Sequence, residues 1–323
     1  MLVSIVIPCY KSENNIREVV EMTQGVFDTL PGYDCEFVLV DDCSPDNTFV
    51  SIKQLAAEYP NVVGLSLMRN FGQHNAIMCG LNHVRGDFAL GMDDDLQTHP
   101  SQIPAIIRKM EEGYDIVYGV YKESTNGVAK KFTSWLNRVT AQKLLGRPKD
   151  QETSNFWMIT RPICEEVVKY TNYNPYIQAL FGRMTNRIGM VEIEHHERMS
   201  GSSNYTLGKL AKLWMGYFNY TVVPLRFVSG VGVLTALVGF LWGICTLIHK
   251  LVVPDVPAGW TSVICVLLLF CGLILLALGI IGEYLGDLVL SANSTPQFVV
   301  RETTYQPSRL SRPQDDRAQE FYR

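Results

Sequence analysis

The densest run of reactive side chains in the sequence is Gly91-Met92-Asp93-Asp94-Asp95-Leu96-Gln97. Three consecutive carboxylates follow a short apolar stretch, Phe88 to Met92. Side chains alternate along extended backbone, so Asp93, Asp95 and Gln97 are expected to project to one side. Two carboxylates and an amide oxygen presented together are hard oxygen donors, suited to Mg²⁺ or Mn²⁺. A solvated acidic turn accounts for the same residues, and this segment alone does not separate the two readings. A second acidic pair, Asp41-Asp42, follows the apolar stretch Cys35 to Val40 and leads into Cys43-Ser44-Pro45-Asp46-Asn47-Thr48. A carboxylate at the carboxyl end of a strand can accept hydrogen bonds from a ribose or nucleobase. One of the two aspartates can instead serve only as a helix N-cap with Ser44.

These residues need a framework, and the first 120 residues supply one. Leu2 to Ile7, Cys35 to Val40, Val62 to Leu67, Phe88 to Met92 and Asp115 to Val120 are short, β-rich runs. Helix-length stretches lie between them: Asn14 to Leu30, Asp46 to Tyr59, Ala76 to His83 and Ser101 to Glu112. Strands spaced by helices imply parallel crossovers and an α/β layered sheet. The runs are apolar throughout rather than alternating, as befits strands covered on both faces. Ligands of such sheets gather outside the carboxyl ends of the strands, which is where both acidic groups fall. Further on, the pattern predicts a helix over 129–145 and strands over Asn155 to Thr160 and Gly189 to Glu194.

The second half carries a different signal. Tyr205 to Val222 places Leu207, Leu210, Ala211, Trp214 and Phe218 at helical spacing, with Lys209, Lys212 and Asn219 opposite. This suits a helix lying in a membrane interface; an ordinary packing helix is the plainer alternative. Phe227 to Ile248 and Trp260 to Ile281 are each 22 residues without a charge. That is the length of a membrane crossing, so two spans are expected, joined by a linker containing Pro254, Pro257 and Gly259. Two crossings return the chain to its starting side. Leu2 to Ile7 stops at Pro8 without a basic flank, so it reads as a first strand and not a leader. Both termini are therefore expected in the cytosol. The expected division is 1–204 for a catalytic domain, 205–224 for the interfacial helix, 225–288 for the spans (about 227–248 and 260–281) and 289–323 for a polar, flexible tail. The 28 Lys and Arg against 32 Asp and Glu give a net charge of −4, which excludes a general nucleic-acid binder. Eight cysteines without a CxxC pair argue against a zinc site or disulfide framework and for reduced thiols.

Four segments occur in order: Ser4-Ile-Val-Ile-Pro8-Cys-Tyr10-Lys-Ser-Glu13-Asn14-Asn15, Val40-Asp-Asp-Cys-Ser-Pro-Asp46, Arg69-Asn-Phe-Gly72-Gln-His-Asn-Ala76 and Asp93-Asp-Asp95-Leu-Gln97. Together they resemble the family-two glycosyltransferases of GT-A (Rossmann-like) fold. Within these they are similar to the polyprenyl-phosphate branch, which includes dolichol-phosphate mannose synthases and undecaprenyl-phosphate glucosyl- and formamido-arabinose transferases. The resemblance covers about Leu2 to Asp287 and agrees with a pair of C-terminal spans. It implies that Pro8, Tyr10, Glu13, Asp41 and Asp42, with Asp93 and Asp94, line a nucleotide pocket. Asp93, Asp95 and Gln97 would hold Mg²⁺ or Mn²⁺ on the diphosphate. Lys131, Ser134, Arg198 and Ser203 would meet the acceptor phosphate, the last two within a loop, Glu197 to Tyr205, that closes over the substrates. Asp95, Arg198 and Lys131 are then the residues expected to carry catalysis. The implied partners are a nucleotide sugar, favouring UDP over GDP, a polyprenyl (undecaprenyl) phosphate and the lipid bilayer of the inner membrane; relatives suggest a homotetramer.

Three positions depart from the family pattern. Tyr121 stands where Arg is common, Asn204 where Lys is usual, and Asn155 replaces an Asp to which a base-like role is sometimes assigned. A hydroxyl acceptor would need such a base. A phosphate monoester, with a second pKa near ~6, is largely dianionic at pH 7 and can attack unaided. A single displacement with inversion follows, in which alignment and charge stabilisation are the protein's task. Two other functions compete. A polysaccharide synthase or hydroxyl-directed transferase would be marked by a Gln-x-x-Arg-Trp motif, which this sequence lacks. A non-catalytic nucleotide-binding scaffold has no need of Asp-x-Asp-Leu-Gln. His74 could touch the donor or merely shape a turn, and adjacent His195 and His196 point to opposite faces of a strand.

Overall fold

The computed structural model describes residues 1–121, 153–193, 259–293 and 295–304, with scattered positions between 228 and 245. Lys131, Ser134, Arg198, Ser203, the expected helices over 129–145 and 205–224 and the histidine pair lie outside the described residues.

The amino-terminal strands form on the short apolar runs of the sequence. These are β1 (Leu2–Cys9), β2 (Asp34–Asp41), β3 (Val62–Leu67) and β4 (Phe88–Gly91). Three helices make the crossovers: α1 (Ile16–Phe27), α2 (Thr48–Glu58) and α3 (Gln73–Leu81). β1 pairs in parallel with both β2 and β4, and β2 with β3. Val3, Ile5, Ile7 and Cys9 face one hydrophobic core with α1 and α2, while Val6 faces a second core with α3. Both faces are covered, which is why these strands read as unbroken apolar runs.

The expectation of uniformly parallel crossovers fails beyond β4. A short 3₁₀ turn and α4 (Ile103–Glu111) lead into β5 (Ile116–Tyr121). β6 (Trp157–Thr160) then inserts antiparallel between β4 and β5. Two helices that periodicity alone did not mark, α5 (Arg161–Val167) and α6 (Ile177–Met184), precede β7 (Ile188–Ile193), which is parallel to β5. The eight-stranded sheet has the order β7-β5-β6-β4-β1-β2-β3-β8. Strand succession moves from β1 outward through β2 and β3, then returns to β4 on the other side of β1. The β1–β4 boundary is thus the point where strand order reverses, the crevice that binds ligands in open α/β sheets.

Inserting β6 has a local consequence. Because it runs against β4, its first residue, Trp157, lies opposite the last residue of β4, Gly91. Residues just before β6 are thereby carried to the acidic tip after β4. Gly91 makes room for this arrangement, since a Cβ there would lie 2.2 Å from the Trp157 ring.

The last strand, β8 (Val300–Thr303), lies in the segment expected to be a flexible tail. It pairs antiparallel with β3. The Thr304 hydroxyl accepts from the Gly64 N–H at 2.8 Å, Lys53 meets Glu302 at 2.5 Å, and Arg301 donates to the Met68 carbonyl at 2.7 Å. A strand in this place covers what would otherwise be an open sheet edge.

The chain divides into two compact units. One comprises Met1–Thr125, Asp150–Ser203 and Thr295–Arg323, and the other Asn126–Lys149 and Asn204–Ser294. Within the second, α7 (Trp260–Ala292) is 33 residues long, about 50 Å at 1.5 Å per residue. Its stretch long and apolar enough to cross a membrane, by length and composition, is Phe270–Ala292, which overlaps the expected 260–281. Leu267, Ile274, Leu275, Leu278 and Leu288 on it are exposed. Within the expected first span the described residues are helical, and the linker lies outside them.

Candidate active site

At the strand-order reversal lies a cleft of about 400 Å³ lined by Pro8, Cys9 and Tyr10 from the end of β1, and Asp42 from the end of β2. Asn70, Gly72 and Gln73 contribute from the β3–α3 loop and the start of α3, Asp93, Asp94 and Asp95 from beyond β4, and Asn155 from before β6. Every one of these groups comes from the carboxyl end of a parallel strand, except Asn155, which the antiparallel insertion delivers.

The carboxylates do two jobs. Asp42 is buried and accepts from the Phe71 and Gly72 N–H groups at 2.7 and 2.8 Å, one on each oxygen. This pins the β3–α3 loop at Gly72, whose φ of +92° suits glycine. Burial pushes the Asp42 carboxyl above its ordinary value against the pull of those two N–H groups. Asp94 accepts from the Ser12 hydroxyl and the Tyr10 N–H, tying the β1–α1 loop to the acidic tip, and burial raises its pKa too. Asp93 accepts from Gln73 Nε2 at 2.7 Å and from Asn155 Nδ2 at 3.0 Å. Asn155 in turn accepts from Gln178 Nε2 at 3.2 Å. Tyr121, half-buried and hydrogen-bonded to Thr98, has its phenol raised chiefly by burial, with Asp93 and Asp95 adding to the effect. All these partners are neutral, and no cationic side chain is among the described residues lining the cleft.

Some expected residues take other places. The period-two alternation proposed for 93–97 does not hold, because β4 ends at Gly91 and Leu96 has a φ of +57°. Asp95 accepts from the Gln97 backbone N–H at 3.1 Å, closing a turn, and the Gln97 side chain does not line the cleft. Asp41 is buried, accepts from the Ser44 N–H and the Ser66 hydroxyl to brace the turn after β2, and does not line the cleft; the N-cap of α2 is Asn47. Glu13 accepts from the backbone and side-chain amides of Asn47 and braces the β2–α2 loop from outside the cleft. His74 packs edge-on against Tyr176 at 5.1 Å away from the cleft lining, and burial lowers its pKa to about 4. Ser12, Gln73, Asn155 and Gln178 were given no contact to the acidic tip by sequence reasoning. Neutral amides and hydroxyls carry no pattern that marks such contacts; Ser12, Gln73 and Asn155 sat in segments already noted, and Gln178 did not.

The profile of "Glycosyl transferase family 2" matches residues 4–169, which contain all of the cleft. The chain belongs to glycosyltransferase family 2. The transferase also matches the profile of the "GtrB C-terminal hairpin" over residues 223–288. It is 30% identical to an undecaprenyl-phosphate 4-deoxy-4-formamido-L-arabinose transferase of Klebsiella pneumoniae subsp. pneumoniae, over 97% of both chains. It is 33% identical to the protein of that name in Shewanella sediminis, over 93% of this chain and 92% of that one. Among solved structures, glucosyl-3-phosphoglycerate synthase from Mycobacterium tuberculosis, in complex with Mn²⁺, UDP-glucose and phosphoglyceric acid, covers 68% of this chain and 79% of its own at TM-score 0.49 and 18% identity. The transferase thus combines a GT-A-like α/β fold, built on a mixed sheet, with a carboxyl-terminal segment of hairpin type.

Proposed function

We propose that this transferase moves a sugar from a nucleoside diphosphate sugar, UDP-linked, to a polyprenyl phosphate such as undecaprenyl phosphate, with inversion at the anomeric carbon. The observation that carries the reading is the charge of the switch-point cleft. Asp42, Asp93, Asp94 and Asp95 line it together, and no cationic side chain is among the described residues of the lining. Concentrated negative charge of this kind fits a divalent cation and, through it, a diphosphate. Among the described residues no three acidic, histidine or cysteine side chains converge to enclose a metal alone. A cation at Asp93 and Asp95 would draw its remaining ligands from substrate oxygens and water, as Mg²⁺ commonly does. When bound, Mg²⁺ or Mn²⁺ supplies positive charge beside the departing diphosphate.

The chain's own residues align the reactants. Pro8, Tyr10 and Asp42 form the wall facing the nucleoside. The acceptor phosphate enters already ionised, so its oxygen lone pair forms the new bond while the sugar–diphosphate bond breaks and its electron pair leaves with the diphosphate. No proton has to be removed, which accords with a neutral Asn155 beside the acidic tip. Arg198 and Lys131, with Ser134 and Ser203, are the proposed contacts to the acceptor phosphate, the guanidinium fork suiting its oxygens. The exposed apolar surface of α7 and the match to a hairpin family support a multi-pass anchor in the inner membrane, with the catalytic unit and both termini cytosolic, and a homotetramer is part of the same proposal.

The test is to incubate membranes containing the protein with a panel of radiolabelled nucleotide sugars, undecaprenyl phosphate and Mg²⁺ or Mn²⁺, and extract the lipid. A labelled lipid is expected with one donor, with inverted anomeric configuration, and Asp95→Ala should lower its formation by at least ~100-fold, the scale of losing a transition-state charge contact. No labelled lipid from any donor, or full transfer by Asp95→Ala, would sink the reading.

A further inference from the structure

We propose that Asn155 and Gln178 are positioning residues: they form an amide relay that fixes the orientation of the Asp93 carboxylate and thereby sets the transferase's affinity for its divalent cation. The inference rests on the proposed metal-dependent reading and deepens it. An ionised carboxylate can only accept hydrogen bonds. Gln73 at 2.7 Å and Asn155 at 3.0 Å must therefore both turn their NH₂ groups toward Asp93, one to each oxygen. That choice leaves the Asn155 carbonyl facing away, and Gln178 must present its own NH₂ to it, at 3.2 Å. The carboxylate thus dictates the sense of both amides.

Gln178 holds this place at a cost. It is buried on α6, and its carbonyl oxygen has no hydrogen-bond partner among the described residues. A buried acceptor left unpaired is unfavourable, so a side chain serving only to pack would do better as Leu or Met. The donating end is what remains to account for an amide at this position. The fold explains why the relay reaches Asp93: β6 runs against β4 and starts beside its end. Neutrality also matters, for a cationic clamp would compete with the metal, and a carboxylate would repel Asp93.

Groups that orient a metal-binding side chain typically contribute ~10–100-fold in metal affinity. Full-length protein in detergent would be titrated with Mn²⁺ in the presence of UDP, reading free Mn²⁺ by electron paramagnetic resonance, for wild type, Asn155→Ala and Gln178→Met. Transfer rates against Mn²⁺ concentration and thermal melts would run in parallel. Asn155→Ala should bind Mn²⁺ at least ~10-fold more weakly and Gln178→Met about threefold more weakly, with the kcat of Gln178→Met at saturating Mn²⁺ within about twofold of wild type. Gln178 does not line the cleft, so its variant decides the matter if Asn155→Ala fails to fold. Unchanged Mn²⁺ affinity in the folded variants, or a loss confined to kcat, overturns the relay alone. Failure of wild-type protein to bind Mn²⁺ overturns both the relay and the metal-dependent reading beneath it.

Discussion

Asp42 keeps two backbone N–H groups on its two oxygens while lining the cleft. Asparagine at this position can accept only one of them and turns its NH₂ against the other. Asp42→Asn should therefore loosen the β3–α3 loop by about 1–3 kcal/mol, seen as a lower melting temperature and a raised KM for the nucleotide sugar with a smaller change in kcat. His74 makes a separate prediction. Its folded pKa is depressed from 6.5 to about 4 by burial, so the neutral ring is the form that folds. Stability from this group is complete above pH 6.5 and is lost as pH falls toward 4, because the unfolded chain takes up a proton that the folded one refuses. The full loss is on the order of 3 kcal/mol. Urea denaturation at pH 7 and pH 5 should show a steeper acid loss for wild type than for His74→Phe; parallel curves would refute it.

The element that decides the site is β6. An α/β unit with only parallel strands would leave the side of the acidic tip beyond β4 to be closed by a distant loop. The antiparallel insertion instead brings Asn155 alongside Asp93 and seats Trp157 over Gly91. Gly91→Ala would drive a methyl group into the indole at 2.2 Å, a contact no rotamer change relieves on the backbone side. The expected cost is about 1–3 kcal/mol of overpacking, with a displaced Asp93 as the functional consequence. A melt lowered together with weakened Mn²⁺ binding is the expected signature, whereas lowered stability with intact metal affinity would mean that the tip is positioned independently of Trp157.

At the scale of the molecule, the chain leaves the catalytic unit and returns to it. The strand β8 comes after α7 in sequence, yet pairs with β3 in the first unit. The catalytic fold is therefore completed only when the carboxyl-terminal segment is in place. Deleting residues 295–323 should uncover the β3 edge and remove the Thr304–Gly64 and Lys53–Glu302 contacts. Aggregation in detergent and a lower melting temperature are expected, and unchanged behaviour on size-exclusion chromatography would show that β8 is dispensable. The exposed leucines of α7 give a companion expectation, that the intact protein stays with membranes through alkaline carbonate washing and is released by detergent.

Much of this was legible before any coordinates. The apolar runs of β1 to β5 stand out because strands covered on both faces must be hydrophobic throughout, and β3 has the expected bounds, Val62–Leu67. The two acidic groups could be placed at strand ends because sheet topology confines ligands there. The charge-free stretches stood out because a helix fit for hydrocarbon must be apolar along its whole length, and Phe270–Ala292 is a helix long and apolar enough to cross a membrane. What sequence could not supply was anything that depends on residues distant in the chain meeting. The turn at Leu96 removed Gln97 from the expected row, Asp41 and Glu13 became braces for loops, and Asn155 and Gln178 reached Asp93 only through an antiparallel pairing that local propensity does not encode. Hydrophobic periodicity reports the environment of one segment at a time; the partner of a hydrogen-bonding side chain is chosen by strand order and direction, and those are properties of the assembled sheet.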